Sequence, residues 1–461
     1  MRRRQGILSK DLRWPKPLKA ATRRAAVAEA GMARFIAESG GLPRIANPKS
    51  VKDEATRLLR IAAEVEHALM VQYLYAAFTL GPNADPKYRG GLVLIAKQEM
   101  GHFVTVQNLL RLLGSPPHLD RDDLLPDSGK EPAAFVLESV TPDSLAKYTI
   151  VESPLDERIT GQNKVIYDRA KARIDASSMV QLNRVGTLYA AIYWLFMETD
   201  EPEPDEPWPL KPDEILQQNP DLKGRHLGKA DFTNPQEVSA LITGRNDWRG
   251  GPSSIFVDET TDRKTAKSAL FKISSQGEGV SNDPGSTSHF QRFLKLFDAA
   301  EQQPPEVIAV SVGKSKAAAN EPAQKLMEFF NTRYQILLLL IDVALRIRNG
   351  DASLRPTFTN LAVDEMQLGV RDVARAMLKL QAGPTNGPVA PPFELPGGAW
   401  PEDSLPDLGA GIARLRRLLT TSRKLDKSLR EIAPGMMESE LNLLEGANIS
   451  IEQAIASLPA S

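Results

Sequence analysis

Long stretches in which apolar residues recur with the spacing of an α-helix dominate this 461-residue chain, and alternating strand patterns are scarce. The first strong stretch opens at Ser50, with Asp53 completing a start that resembles a capping box, and it continues until Gly81. The second runs from near Lys87 to Gly114. Two amphipathic helices joined by a short turn favour an antiparallel hairpin. The chain is therefore predicted to be all-α.

The rest of the chain divides into further helical segments and long stretches without periodicity. Helices are predicted over residues 177–200, from Ser288 onward, over 321–350 and 358–380, and at the C-terminal end. Residues 116–176 and 201–287 are rich in Pro, Gly, Asp and Asn and are predicted to be loop-rich insertions. We expect an N-terminal arm over 1–49, a helical bundle over 50–382 that carries these insertions, and an extended strap with C-terminal helices over 383–461.

Composition excludes several kinds of site and partner. The chain has no cysteine, so disulfides, thiolate metal sites, iron–sulfur clusters and a cysteine nucleophile are excluded. Lys and Arg total 57 against 58 Asp and Glu, which gives a net charge of −1. The composition therefore lacks the excess of positive charge that is typical of nucleic-acid-binding proteins. The most apolar run, residues 336–341, is far too short to cross a bilayer, which takes about 20 residues. We expect a cytoplasmic protein with a small-molecule substrate and no membrane partner.

Three ionisable residues fall on the apolar faces of the first two helices. Glu99 and His102 lie three residues apart, so both share the helical stripe of Val106 and Leu110. Glu66 lies on the apolar stripe of the first helix. A carboxylate and an imidazole at this spacing are typical of carboxylate-bridged metal centres in helical bundles. Burying these groups is unfavourable unless they are paired, which a divalent cation or a hydrogen-bonded Glu–His cluster would each accomplish.

Only five histidines are available as nitrogen ligands. His289, at the start of a predicted helix, is the best second imidazole. His67 is turned about 100° from Glu66 around its helix, so a structural hydrogen bond is the preferred interpretation. His118 and His226 fall in predicted loops and are expected to be solvated.

The segments AEVEHALMVQYLYAAF, IAKQEMGHFVTVQNLLRLLGSPP, VGTLYAAI, SHFQRFL and PVAPPFEL carry a resemblance to a known family. In order and spacing they are similar to the ferritin-like family that includes the iminophenyl-pyruvate dimer synthases of violacein- and rebeccamycin-type pathways. The resemblance extends from about residue 50 to about residue 420. It implies a ferritin-like helical bundle whose metal ligands come from four helices.

This sequence departs from the ligand pattern that the resemblance implies. Thr187 stands where the third helix should supply Glu, and Ser286 stands where Glu should precede His289 by three residues. A second ion would then have too few donors, since each ion takes about three or four. A single ion held by Glu66, Glu99, His102 and His289 is therefore favoured over a di-iron centre, with iron as the metal and manganese as the other choice.

The predicted function is a metal-dependent oxidoreductase, with Glu66, Glu99 and His102 as the catalytic ligands. The resemblance implies biosynthetic chemistry on an amino-acid-derived or aromatic small molecule, and it leaves open a homo-oligomer or a partner enzyme. Thr187 and Ser286 favour an alternative, a metal-free bundle that acts as a binding or scaffold subunit. Metal-assisted hydration or hydrolysis is a third interpretation, because the same ligands suit a Lewis acid.

Overall fold

The structure is a computed structural model of the chain. It describes residues 12–13, 43–45, 47–121, 137–154, 158–176, 184–198, 222–233, 247–248, 257–279, 287–310, 320–347, 353–383, 386–395, 408–435 and 437–458. Most of the predicted N-terminal arm lies outside these residues.

Helices make up most of the described residues, which confirms the predicted all-α class. They are α1 (Val51–Phe78), α2 (Pro86–Leu112), α3 (Pro142–Val151), α4 (Gly161–Ala176), α5 (Val185–Phe196), α6 (Arg263–Glu278), α7 (His289–Gln302), α8 (Glu321–Arg346), α9 (Arg355–Asp364), α10 (Arg371–Met377), α11 (Leu408–Ile432) and α12 (Glu438–Ala456). A π-helical segment, Glu365–Val370, joins α9 to α10, and Lys229–Asp231 forms a 3-10 turn. Two short antiparallel ribbons pair β1 (Leu12–Arg13) with β2 (Arg44–Ile45) and β3 (Gln381–Gly383) with β4 (Asn386–Pro388).

The predicted hairpin is formed by α1 and α2, which pack closely along their lengths. The Ser50 side chain caps α1 by accepting a hydrogen bond from the amide of Asp53. Asp85 caps α2, whose first residue is Pro86. A proline is favourable there because the first helical amide has no partner inside the helix.

The remaining helices form two layers around this hairpin. In the first layer α5 packs on α1, α3 packs on α7, and α6 contacts α5, α2 and α7. In the second layer α8 is covered by α9, the π-helical segment and α11. Phe393, in the strap after β4, stacks on Phe78 of α1 and meets Phe330 of α8 edge to face, so it joins the two layers. Within the part of the chain that the structure describes, no helix has the length and apolarity needed to cross a membrane.

Both of the predicted loop-rich insertions contain helices among their described residues. Residues 116–176 include α3 and α4, and residues 201–287 include α6. Local start signals are present in both, since Thr141 before Pro142 and Asp262 with Thr265 each form a capping box. The helix α3 is only ten residues long, so it offers little periodicity.

Candidate metal centre

Five buried ligand groups meet between α1, α2, α3 and α7. Glu66 comes from α1, Glu99 and His102 from α2, and His289 is the first residue of α7. The structure thus brings together all four residues that the sequence predicted as ligands. It adds Glu152, which directly follows α3. Each of the five has at most 2% of its surface exposed.

These residues form two groups that share Glu99. One contains Glu66, Glu99 and His102, and the other contains Glu99, Glu152 and His289. Within each group the donor atoms lie within 4.8 Å of one another. Ligand atoms at about 2.1 Å from one ion are at most about 4.2 Å apart, so small side-chain adjustments are enough for coordination.

In the first group His102 faces two carboxylates. Its Nδ1 lies 3.0 Å from Oε2 of Glu99 and 3.4 Å from Oε2 of Glu66. Its Nε2 lies 2.8 Å from Oε1 of Gln276 in α6. An Nε2–H that donates to Gln276 leaves the Nδ1 lone pair directed at the carboxylates, which is how an outer partner orients a metal-binding imidazole.

In the second group His289 lies between the carboxylates of Glu99 and Glu152. Its Nδ1 is 3.0 Å from Oε1 of Glu99 and 3.7 Å from Oε2 of Glu152. Each oxygen of Glu99 therefore faces a different imidazole. A carboxylate placed in this way can bridge two ions.

Several donor atoms of the two groups make no hydrogen bond with described residues although they are fully buried. They are Oε2 of Glu66, Oε1 of Glu99 and both ring nitrogens of His289. Buried polar atoms are nearly always hydrogen-bonded, because leaving one unpaired is costly. Oxygen and imidazole donors that converge in this way fit a divalent first-row metal ion.

The charges of the five groups are strongly coupled. Burial, together with the charge of Glu99, raises the pKa of Glu66 to about 8. Burial lowers the pKa of His102, but the neighbouring carboxylates of Glu66 and Glu99 outweigh this effect and bring the pKa to about 10. Burial also lowers the pKa of His289, but the adjacent carboxylates of Glu99 and Glu152 outweigh this effect and raise the pKa to about 9. The protein groups thus balance their carboxylates with protons, which a bound cation would replace.

Two tyrosines donate hydrogen bonds to the outer carboxylates. The hydroxyl of Tyr189 in α5 donates to Oε1 of Glu66, and the hydroxyl of Tyr73 in α1 donates to Oε1 of Glu152, at 2.7 Å. The structure gives each of them a contact to one ligand group.

A small cavity adjoins all five groups. Its remaining lining residues are Leu69, Val185, Gly186, Tyr189, Ile273, Ser274, Gly277 and Glu278. They come mainly from α5 and from the last turns of α6. The cavity is the place where a small ligand would meet both donor groups.

The resemblance implies carboxylates at the third- and fourth-helix positions that Thr187 and Ser286 occupy in this chain. Thr187 is buried on α5 but belongs to neither donor group and does not line the cavity. Glu152, which follows α3, brings to the second group a carboxylate that the sequence analysis does not predict, because residues 116–176 are interpreted there as loop-rich. Ser286 lies outside the described residues.

The other histidines have structural roles. His67 shares a hydrogen bond with the hydroxyl of Tyr334 in α8, which confirms the structural interpretation. His118 is not solvated as expected, since its Nε2 lies 2.8 Å from Oε1 of Glu64. Nδ1 of His226 donates to the carbonyl of Trp194 at 3.0 Å.

Comparison with known proteins places this helical centre in a family. A family model described as Ferritin-like matches residues 59–298, which include all five ligand groups. A solved structure of a ferritin-like protein from Caulobacter vibrioides is 16% identical with a TM-score of 0.40, and the match covers 70% of this chain and 94% of that one.

Two curated relatives are enzymes according to their names. Dichlorochromopyrrolate synthase from Lentzea aerocolonigenes is 26% identical over 76% of this chain and 37% of its own length. 2-Imino-3-(indol-3-yl)propanoate dimerase from Chromobacterium violaceum is 24% identical over 89% of this chain and 41% of its own length. The chain thus spans about two fifths of the length of each of these two relatives.

Proposed function

Because the chain belongs to the ferritin-like family, we propose that its five buried ligand groups hold iron and that it is a biosynthetic oxidoreductase. The observation that carries the proposal is the pair of donor groups that share Glu99. Manganese, which prefers similar ligands, is the other metal that the site suits.

The presence of Glu152 changes the expected number of ions. A single ion was favoured because a second ion would have had only His289 and a shared Glu99. Glu152 gives the second group a carboxylate of its own. We therefore propose two ions, one held by Glu66, Glu99 and His102 and the other by Glu99, Glu152 and His289.

Bound iron would supply redox chemistry with oxygen or peroxide at coordination positions that the protein leaves open. The residues of this chain have separate tasks around it. Gln276 orients His102, and Tyr73 and Tyr189 fix the carboxylates of Glu152 and Glu66. The apolar side chains of Leu69, Val185 and Ile273 form part of the cavity wall.

The substrate class follows from the names of the relatives. One of them is named as a dimerase of 2-imino-3-(indol-3-yl)propanoate, an imine derived from an aromatic amino acid. We propose an amino-acid-derived aromatic molecule of this kind as the substrate of this chain. A homo-oligomer or a partner enzyme remains part of the proposal, because the chain covers only part of each relative's length.

Metal content tests the proposal directly. Protein purified without chelators is reconstituted anaerobically with Fe(II), desalted, and measured by elemental mass spectrometry. We expect about two ions per chain in the wild type. Glu66→Ala and Glu152→Ala should each retain about one, and Glu99→Ala should lose both, because Glu99 belongs to both groups.

A matched control is Glu64→Gln, which alters another buried carboxylate of α1 that pairs with His118 outside the site. It should bind as much iron as the wild type. Oxygen consumption with 2-imino-3-(indol-3-yl)propanoate then tests the substrate. One ion per chain in the wild type would favour a mononuclear site instead. If the wild type bound no iron tightly, the proposed oxidoreductase function would be excluded.

One observation favours a second candidate, a binding or scaffold subunit that uses no metal. His102 and His289 can neutralise the carboxylates by ion pairs at 3.0 Å from Glu99. A wild-type chain that folds normally but binds no iron would support this alternative.

A further inference from the structure

Ser274 of α6 carries a buried hydroxyl and lines the cavity beside the donor groups. Only 3% of its surface is exposed. Its Oγ is fully buried and makes no hydrogen bond with the described residues. Leaving a buried hydroxyl unpaired is costly, so we expect its partner to be a molecule inside the cavity.

A serine or threonine in the interior of a helix usually finds its partner within that helix. Its hydroxyl donates a hydrogen bond to the carbonyl four residues earlier. Thr105 of α2 follows this rule, since its hydroxyl donates to the carbonyl of Gly101 at 2.8 Å. Ser274 makes no such bond to the carbonyl of Leu270. Its hydroxyl is therefore available to a molecule in the cavity.

The last turns of α6 lie against both donor groups. Oε1 of Gln276 is 2.8 Å from Nε2 of His102 in the first group. Gly277, three residues after Ser274 and so on the same helical face, also lines the cavity. A Cβ at Gly277 would lie only 3.3 Å from Oε2 of Glu152 in the second group. These close approaches place Ser274 beside the space in which the two groups meet.

The size of the cavity limits what this hydroxyl can meet. The space open to the centre of a water-sized molecule is about 10 Å³, close to the least that one water molecule needs. An indole ring is far larger than this space, whereas dioxygen and peroxide are comparable to water in size. The cavity therefore suits a small co-reactant at the metal positions that the protein leaves open, and not the aromatic substrate itself.

We propose that Ser274 is a ligand-positioning residue, whose hydroxyl donates a hydrogen bond to dioxygen or peroxide in this cavity. This inference rests on the proposed iron centre and adds to it a hydroxyl that does not bind the metal. The donor favours ligands that accept a hydrogen bond, and a negatively charged ligand benefits most, because hydrogen bonds to charged groups are stronger. It also gives a role to α6, which lies in a segment that the sequence analysis interprets as loop-rich.

Azide binding tests the assignment, because azide is a small anion that accepts hydrogen bonds. The full chain is reconstituted anaerobically with Fe(II), desalted and oxidised in air, and sodium azide is then titrated while the iron–azide absorption band is followed. We expect Ser274→Ala to weaken azide binding about tenfold, as the loss of one hydrogen bond to a charged ligand does. Iron content, measured by elemental mass spectrometry, should stay at the wild-type level. The infrared stretching band of bound azide should shift on transfer to deuterium oxide in the wild type and not in Ser274→Ala.

Ser275→Ala is the matched control, since it removes the neighbouring hydroxyl of α6, which does not line the cavity. This variant should bind azide and iron like the wild type. Wild-type azide affinity in Ser274→Ala would overturn the assignment and leave the proposed function intact. A loss of iron from Ser274→Ala would also overturn it, because the hydroxyl would then support the donor groups and not the ligand. A wild type that binds iron but no azide would overturn the assignment alone, and one that binds no iron would overturn both.

Discussion

At the scale of single residues, Glu99 has the most central position in the candidate centre. Its two oxygens face different imidazoles, Oε2 toward His102 and Oε1 toward His289. The pKa of Glu99 is lowered below its ordinary range, because the two neighbouring imidazoles outweigh the effect of its burial. A residue that stays ionised between two nitrogen ligands is suited to bridge two cations.

The two tyrosines next to the centre should tune the affinity for metal. Tyr189→Phe removes the donor to Glu66, and Tyr73→Phe removes the donor to Glu152. Loss of such an outer partner typically weakens metal binding about 10- to 100-fold. We expect each variant to weaken one of two Fe(II) binding steps by about this factor in an anaerobic titration.

Tyr148→Phe is the matched control for these two variants. Its ring packs edge to face on Tyr73 with a centroid distance of 5.0 Å, but its buried hydroxyl makes no hydrogen bond with the described residues. It should bind Fe(II) like the wild type. An equal loss of affinity in all three variants would show that aromatic packing, and not the hydrogen bond, is responsible.

The sequence predicted four of the five ligand groups because helical spacing alone identifies polar residues on an apolar face. Glu66, Glu99 and His102 lie within long helices, where this test works well. Glu152 follows a ten-residue helix and lies one position beyond its end, so no stripe reveals it. Its partners are distant in sequence, and only the fold shows that it faces His289.

At the scale of elements, the centre depends on two helices that lie in segments predicted to be loop-rich. The helix α3 places Glu152, and α6 places Gln276. Both helices are stabilised at their start by a capping box, which is a local signal that needs no long periodicity. Thr141 followed by Pro142 is a helix-start signal that the sequence itself shows. The packing of α3 on α7 has no such signal and is seen only in the structure.

The capping box of α3 predicts a measurable contribution to stability. The Thr141 hydroxyl accepts a hydrogen bond from the amide of Ser144, and the Ser144 hydroxyl accepts one from the amide of Thr141. Thr141→Ala should lower the free energy of unfolding by about 1 kcal/mol, as measured by urea denaturation. Thr141→Ser keeps the hydroxyl and should remain close to the wild type. Equal stability of the alanine variant would show that the cap is not needed.

At the scale of the whole molecule, the C-terminal helices are joined to the second layer by a buried arginine. Arg333 of α8 is fully buried, and its guanidinium binds both oxygens of Glu365 in the π-helical segment. It also donates to Ser422 of α11 and to Asn448 of α12. One side chain thus contacts three separate elements. The strap and C-terminal helices expected from the sequence are present in part, but this polar connection between them had no sequence signal.

Removal of Arg333 should destabilise the protein strongly, because it leaves the carboxylate of Glu365 buried without its partner. Breaking a buried ion pair in this way typically costs about 3–5 kcal/mol. We expect Arg333→Met to lose about this much in urea denaturation followed by circular dichroism. Arg333→Met combined with Glu365→Leu should regain most of the lost stability, since an apolar pair replaces the buried charges.

The exposed pair of Arg423 with Glu452 also joins α11 to α12, so Arg423→Met is the control and should lose less than about 1 kcal/mol. If the double variant were as unstable as Arg333→Met, the hydrogen bonds to Ser422 and Asn448 would be the main contribution of Arg333.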